Sequence, residues 1–111
     1  MAAYVPDRGD VVRISFNPQA GQEQAGWRPA LVLSPRAYNA RVGLALFFPV
    51  TSQVKGYPFE VQIPIGYPVT GVILSDQVKS FDWRTRKAEL WCRLPLATCQ
   101  EVLQKLHTLL A

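Results

Sequence analysis

Apolar and polar positions alternate over residues 11–16, with Val12, Ile14 and Phe16 on one face and Val11, Arg13 and Ser15 on the other. That period of two predicts a half-buried strand. The turn-forming run Asn17-Pro18-Gln19-Ala20-Gly21-Gln22 ends it. A second strand is expected over 30–33, stopped by Ser34-Pro35, and Pro35 suits the first turn of a short helix over 36–39. Gly43 opens a third strand over 44–50, whose continuous apolar run predicts burial on both faces. Pro49 removes a ladder hydrogen bond there and is expected to mark a bulge or the strand's end. After a loop over 51–57, a fourth strand over 59–63 sets Phe59, Val61 and Ile63 against Glu60 and Gln62. Residues 64–70 form a surface excursion, 72–74 a short buried strand, and 86–93 a last strand with Ala88, Leu90 and Cys92 on one face. From about Pro95 onward Leu96, Cys99, Leu103, Leu106 and Leu110 recur at helical spacing. The expected class is β-rich α+β: a small, strongly bent, barrel-like antiparallel sheet with a C-terminal helix.

Composition narrows the picture. With 111 residues, 49% apolar and 18% charged, the chain is one domain able to bury a core without staples. Cys92 and Cys99 make neither a disulfide framework nor, with a single histidine, a zinc set, and are expected as reduced thiols. Residues 1–8 carry no apolar run of signal-peptide type, and no stretch approaches the length of a membrane span, so a cytoplasmic protein with no membrane contact is expected. A net charge of +4 favours an anionic partner.

Candidate chemistry gathers at one end of the expected sheet. Pro29 biases Arg28 toward an extended conformation at the mouth of the second strand, with Glu23 in the loop before it. Short connections make sequential strands antiparallel neighbours. Arg28, the loop over 17–27 and the segment Thr51-Ser52-Gln53-Val54-Lys55-Gly56-Tyr57 then share one cleft. Guanidinium, hydroxyls, amides (Gln24, Gln53) and aromatics (Trp27, Tyr57) suit a phosphodiester in single-stranded nucleic acid. RNA carries its own nucleophile, the 2′-OH, so Arg28 and a hydroxyl would stabilise charge while Glu23 served as base. Neither a cofactor nor a metal is called for. Further basic residues follow at Lys79, Arg84, Arg86 and Lys87, with a solvated rim as their simpler reading. Trp83 and Trp91 are expected in core or interface rather than as stacking platforms.

Gly9-Asp10, Glu23-Gln24-Ala25-Gly26-Trp27-Arg28-Pro29, Leu33-Ser34-Pro35, Pro49-Val50-Thr51, Lys55-Gly56-Tyr57-Pro58-Phe59-Glu60-Val61 and Asp76-Gln77-Val78-Lys79-Ser80 together resemble the MazF/PemK family of bacterial toxin–antitoxin modules. The likeness runs in order along nearly the whole chain and weakens after about Lys87. It implies a sequence-specific, metal-independent endoribonuclease of the bacterial cytoplasm, cutting single-stranded RNA to a 2′,3′-cyclic phosphate and a 5′-OH. It also implies a homodimer on an SH3-like barrel, held inactive by a cognate antitoxin with an acidic C-terminal tail. Carried over by position, the catalytic set is Arg28, Thr51 and Glu23. The RNA-contacting set is Phe16, Asn17, Gln24, Trp27, Ser52, Gln53, Lys55, Tyr57, Gln77, Lys79 and Arg86. Gln22 and Leu74 stand where some relatives carry a histidine and an arginine, so no base role passes to Asp76. Two rivals remain at this point: a gyrase-poison-like toxin on the same barrel, and a binding module that leaves RNA and DNA uncut.

Overall fold

The computed structural model describes residues 3–15 and 26–110. Among the described residues, seven strands and two helices follow in the order β1 (Asp10–Ser15), β2 (Trp27–Val32), α1 (Arg36–Val42), β3 (Leu44–Thr51), β4 (Glu60–Gln62), β5 (Val72–Leu74), β6 (Lys79–Asp82), β7 (Glu89–Arg93) and α2 (Leu96–Leu110). The strands pair antiparallel in the order β4-β5-β3-β2-β1-β7, with β6 pairing β3 beyond β5. The path is a bent, open sheet ending at β4 and β7, closed over by α2.

Two apolar clusters explain the bend. Val11, Leu31, Phe48, Val50, Val61 and Ile73 pack beneath Cys99 and Val102 of α2. Val12, Ile14, Val32, Ala45, Phe47 and Trp83 form a second cluster on the opposite face, capped by Tyr4, Val5 and Phe81. Neighbouring residues thus divide between the two faces, as the pleat requires. β1 is therefore buried on both sides, with Val11 and Val12 each fully inaccessible. The alternation suggests that the face of Val11, Arg13 and Ser15 is solvated; Val11 instead packs in the cluster beneath α2, while Arg13 stays exposed.

Pro49 does not end β3, which runs on to Thr51. Phe48 pairs Leu31, and the backbone of Leu46 bonds to Leu33 and to the Ser34 hydroxyl, so even-numbered residues of β3 direct their polar groups toward β2. Pro49 faces the other way, where no donor is required. There β6 pairs Leu44 to Phe47 and β5 pairs Val50 and Thr51, and the connecting turn at Ser75–Val78 loops away beside the proline.

Two buried polar knots fix the edges. Asn39 donates to the carbonyls of Pro6 (2.8 Å) and Ser34 (3.1 Å) and accepts from the Ser34 hydroxyl (2.6 Å). Its own carbonyl accepts from the Trp83 indole at 2.9 Å. Asp10, 1% exposed, accepts from the Tyr4 hydroxyl (2.6 Å), the Asp7 N–H (3.1 Å) and Arg93 Nε (3.1 Å). Asn39→Ala would leave several of these groups unpaired, each at about 1–3 kcal/mol. A loss of about 2–4 kcal/mol in urea unfolding, with the slope unchanged, is expected.

Other expectations shift in detail. β6 was not foreseen, and residues 83–87 form turns, so the last strand starts at Glu89 and not at 86. In β7 the alternation of Ala88, Leu90 and Cys92 is broken: Val11 pairs Cys92 while Val12 pairs Leu90, leaving Trp91 as the extra residue of a β-bulge. Both cysteines are free, Cys99 buried and Cys92 half-buried. Among the described residues, no helix is long and apolar enough to cross a membrane.

Candidate nucleic-acid groove

Ala30 pairs Pro49, and the same register carried two steps further sets Arg28 across from Thr51. Proline at 29 keeps the strand extended into that exposed end. Arg28 and Thr51 line one cavity of about 480 Å³, together with Pro29, Val50, Ser52, Gln53, Pro68, Val69, Thr70 and Trp91. A second hollow of about 130 Å³ adjoins it through the shared residues Thr51 and Gln53, and adds Lys55, Tyr57, Glu60, Leu74 and Gln77. The result is one groove with a cation at each end and hydroxyls and amides between.

The walls are held by polar contacts. The Thr51 hydroxyl accepts from the Gln53 N–H at 3.1 Å, which turns the chain out of β3. The Glu60 carboxylate accepts from the N–H groups of Lys55 (2.9 Å) and Gly56 (2.8 Å), so this acid is spent on shaping the loop. Tyr57 donates to Asp76 at 2.8 Å and fastens that loop to the turn beside Pro49. Behind Thr51, Gly71 (φ +110°) touches the backbone leaving β3: a Cβ there would lie 2.8 Å from the Thr51 carbonyl carbon and 3.0 Å from Ser52 Cα.

The hydrogen bond to Asp76, then desolvation, raises the Tyr57 phenol above its ordinary range. Its clamp is therefore complete below the usual tyrosine pKa and fades only as pH rises through the raised folded value. Removing the hydroxyl in Tyr57→Phe should free the loop, with trypsin cutting after Lys55 about threefold faster than in the parent protein at neutral pH. Burial raises both cysteine thiols, so neither supplies a thiolate. Among the described residues, no group of three or more His, Cys, Asp or Glu could hold a metal ion.

The expected site is assembled in part. Arg28, Thr51, Ser52, Gln53, Lys55, Tyr57 and Gln77 all line the groove. Trp27, Lys79 and Arg86 line neither hollow: Trp27 pairs Ser15, Lys79 pairs Phe47, and Arg86 donates to the Ser15 carbonyl at 3.1 Å while its guanidinium lies over Phe81 at 3.7 Å. Glu23, Gln24, Phe16 and Asn17 lie outside the described residues. Pro68, Val69, Thr70, Gly71 and Trp91 were not anticipated. The excursion over 64–70 folds back against β3, and the bulge redirects Trp91.

The fold is thus a small bent sheet closed over by a C-terminal helix, with Arg28, Lys55, hydroxyls and amides gathered at the β2–β3 end. The family described as PemK-like, MazF-like toxin of type II toxin-antitoxin system matches residues 7–110, and the chain belongs to it. It is 53% identical over 88 residues to the endoribonuclease toxin MazF of Escherichia coli K12, spanning 79% of this chain and 78% of that one. The crystal structure of MazF from Deinococcus radiodurans superposes with a TM-score of 0.88 at 54% identity, covering 97% of this chain and 98% of that chain. MazF from a MazE-MazF crystal structure of the same organism superposes at 0.89 with 48% identity, covering 98% of each.

Proposed function

We propose that the chain is the toxin of a type II toxin–antitoxin module and a sequence-specific endoribonuclease acting on single-stranded RNA. The observation that carries this reading is the placing of Arg28 and Thr51 on adjoining strands, lining one groove. Arg28 supplies a permanent positive fork that matches phosphate oxygens. Thr51, its oxygen already accepting from Gln53, can still donate its own proton into the groove.

The reaction is an internal displacement. The substrate's 2′-oxygen bonds to phosphorus as its proton leaves, the P–O5′ bond breaks, and O5′ takes up a proton. The products are a 2′,3′-cyclic phosphate and a 5′-OH. Arg28 and Thr51 stabilise the negative charge that builds on the phosphoryl oxygens. Glu23 is the carboxylate assigned to assist proton transfer or orient Arg28. Ser52, Gln53, Lys55, Tyr57 and Gln77 hold the neighbouring nucleotides. No step requires a metal.

The working unit is a homodimer in the bacterial cytoplasm, restrained by a cognate antitoxin whose acidic C-terminal tail competes for the cationic groove. The MazE-MazF complex of D. radiodurans supports that pairing. The decisive test incubates the protein in EDTA with an RNA oligonucleotide library, beside the same library made 2′-deoxy. Cleavage of RNA alone, with cyclic phosphate ends, is expected. Binding of both libraries without cleavage would identify a binding module, and an unbound, uncut library together with topoisomerase inhibition would identify a gyrase poison.

A further inference from the structure

We propose that Trp91 is the stacking platform for one unpaired base of the substrate, seated in the groove beside Arg28 and Thr51. The proposal rests on the RNA-cleaving reading above and adds a specificity residue to it.

Trp91 is 40% exposed, an unusual state for the largest aromatic side chain in a protein of this size. Its position follows from the bulge between β1 and β7. With Cys92 opposite Val11 and Leu90 opposite Val12, the tryptophan has no partner in the ladder. Bulges re-aim side chains, and they recur beside functional sites. Here the consequence is visible: Cys92 packs against the core beneath α2, whereas Trp91 lines the Arg28–Thr51 cavity. The Arg13 guanidinium lies 5.9 Å from the indole centroid, within cation–π range. It braces the ring and adds a positive charge for the phosphate attached to a stacked nucleotide.

The rest of the cavity completes a base site. Pro68 and Val69 give it apolar surface, and Ser52, Gln53 and Thr70 place hydroxyls and an amide where a base edge can be hydrogen-bonded. Its volume, about 480 Å³, falls within the range of about 300–1,000 Å³ typical of small-ligand sites. An indole offers a π-face to any base, while the polar rim selects among them.

The test pairs the protein with single-site RNA substrates in which an abasic ribonucleotide is moved stepwise across the positions flanking the scissile phosphate. Stacking on an aromatic contributes about 1–3 kcal/mol per base, and about 1.4 kcal/mol is tenfold. Parent protein should lose about tenfold in kcat/KM at one flanking position through this contact. Trp91→Ala should be about tenfold slower on intact RNA and show no further loss at that position, with penalties elsewhere unchanged. Trp91→Phe should keep most of the activity and most of the penalty. If Trp91→Ala does not fold, Trp91→Leu against Trp91→Phe gives the same comparison, bulk without a π-face against a smaller π-face. Parent protein that cuts no RNA would defeat the functional reading itself. Parent protein that cuts RNA, while the variant retains the full abasic penalty or loses activity uniformly at every position, would overturn the stacking assignment alone.

Discussion

Arg28→Ala is expected to lower the single-turnover rate of RNA cleavage by about 10³-fold, the upper end for removal of one positioned group that stabilises transition-state charge. The fold should survive the change. Arg28 is exposed, and Ala30, Leu31 and Val32 keep β2 in register with β3. Thermal unfolding should therefore stay within about 2–4 °C of the parent, as for a surface substitution. Arg28→Lys separates charge from geometry. A lysine restores a positive charge without the planar fork, so partial recovery, well short of parent activity, is expected. A folded Arg28→Ala protein that still cleaves at the parent rate would remove this residue from the chemistry.

Gly71→Ala should be nearly as damaging by a different route. At φ +110° an alanine is strained, and its Cβ would press on the carbonyl of Thr51 and on Ser52 Cα, which are backbone atoms that cannot rotate aside. Either β5 separates from β3 or Thr51 moves. The Gly71 carbonyl also accepts from the Ile63 N–H at 3.1 Å, so shifting it disturbs the β4–β5 hairpin. A destabilisation of about 2–4 kcal/mol is expected in denaturant unfolding. Cleavage should fall by about 10²-fold even at a temperature where the variant is fully folded, because a shift of about 1 Å at a catalytic group is enough for that loss. Unchanged cleavage in a folded variant would show that Thr51 holds its place without the glycine.

Much of this arrangement was legible in the chain. Strict alternation in β1, the apolar run of β3 and the leucine spacing of α2 each report a face that must be buried, and periodicity records burial directly. The cleft was legible too, because short connections force antiparallel neighbours and so bring Arg28 to Thr51. What escaped were features with no period. The bulge at Trp91 is one residue of slippage between β1 and β7, and nothing local in Glu89-Leu90-Trp91-Cys92-Arg93 announces it. β6 is a short edge segment of Lys79-Ser80-Phe81-Asp82, too polar to signal a strand. Gly71 ahead of Val72 could have hinted at close backbone approach, since a glycine at a strand's edge often marks one. Its partner, the carbonyl of Thr51, could be known only from the fold. The alternation in β1 also misled, since it does not say what will cover the second face.

Pro49 has a broader effect than its own conformation suggests. Because its missing donor leaves a gap between the two strands that share that margin of β3, the turn at Ser75–Val78 is released from the ladder while both of its ends stay anchored. Gln77 enters the groove from that turn. If that groove takes RNA as proposed, substitutions at Gln77 are expected to change which nucleotide is preferred while the rungs of the sheet stay intact, so that substrate choice and folding would be governed by separate parts of one continuous chain.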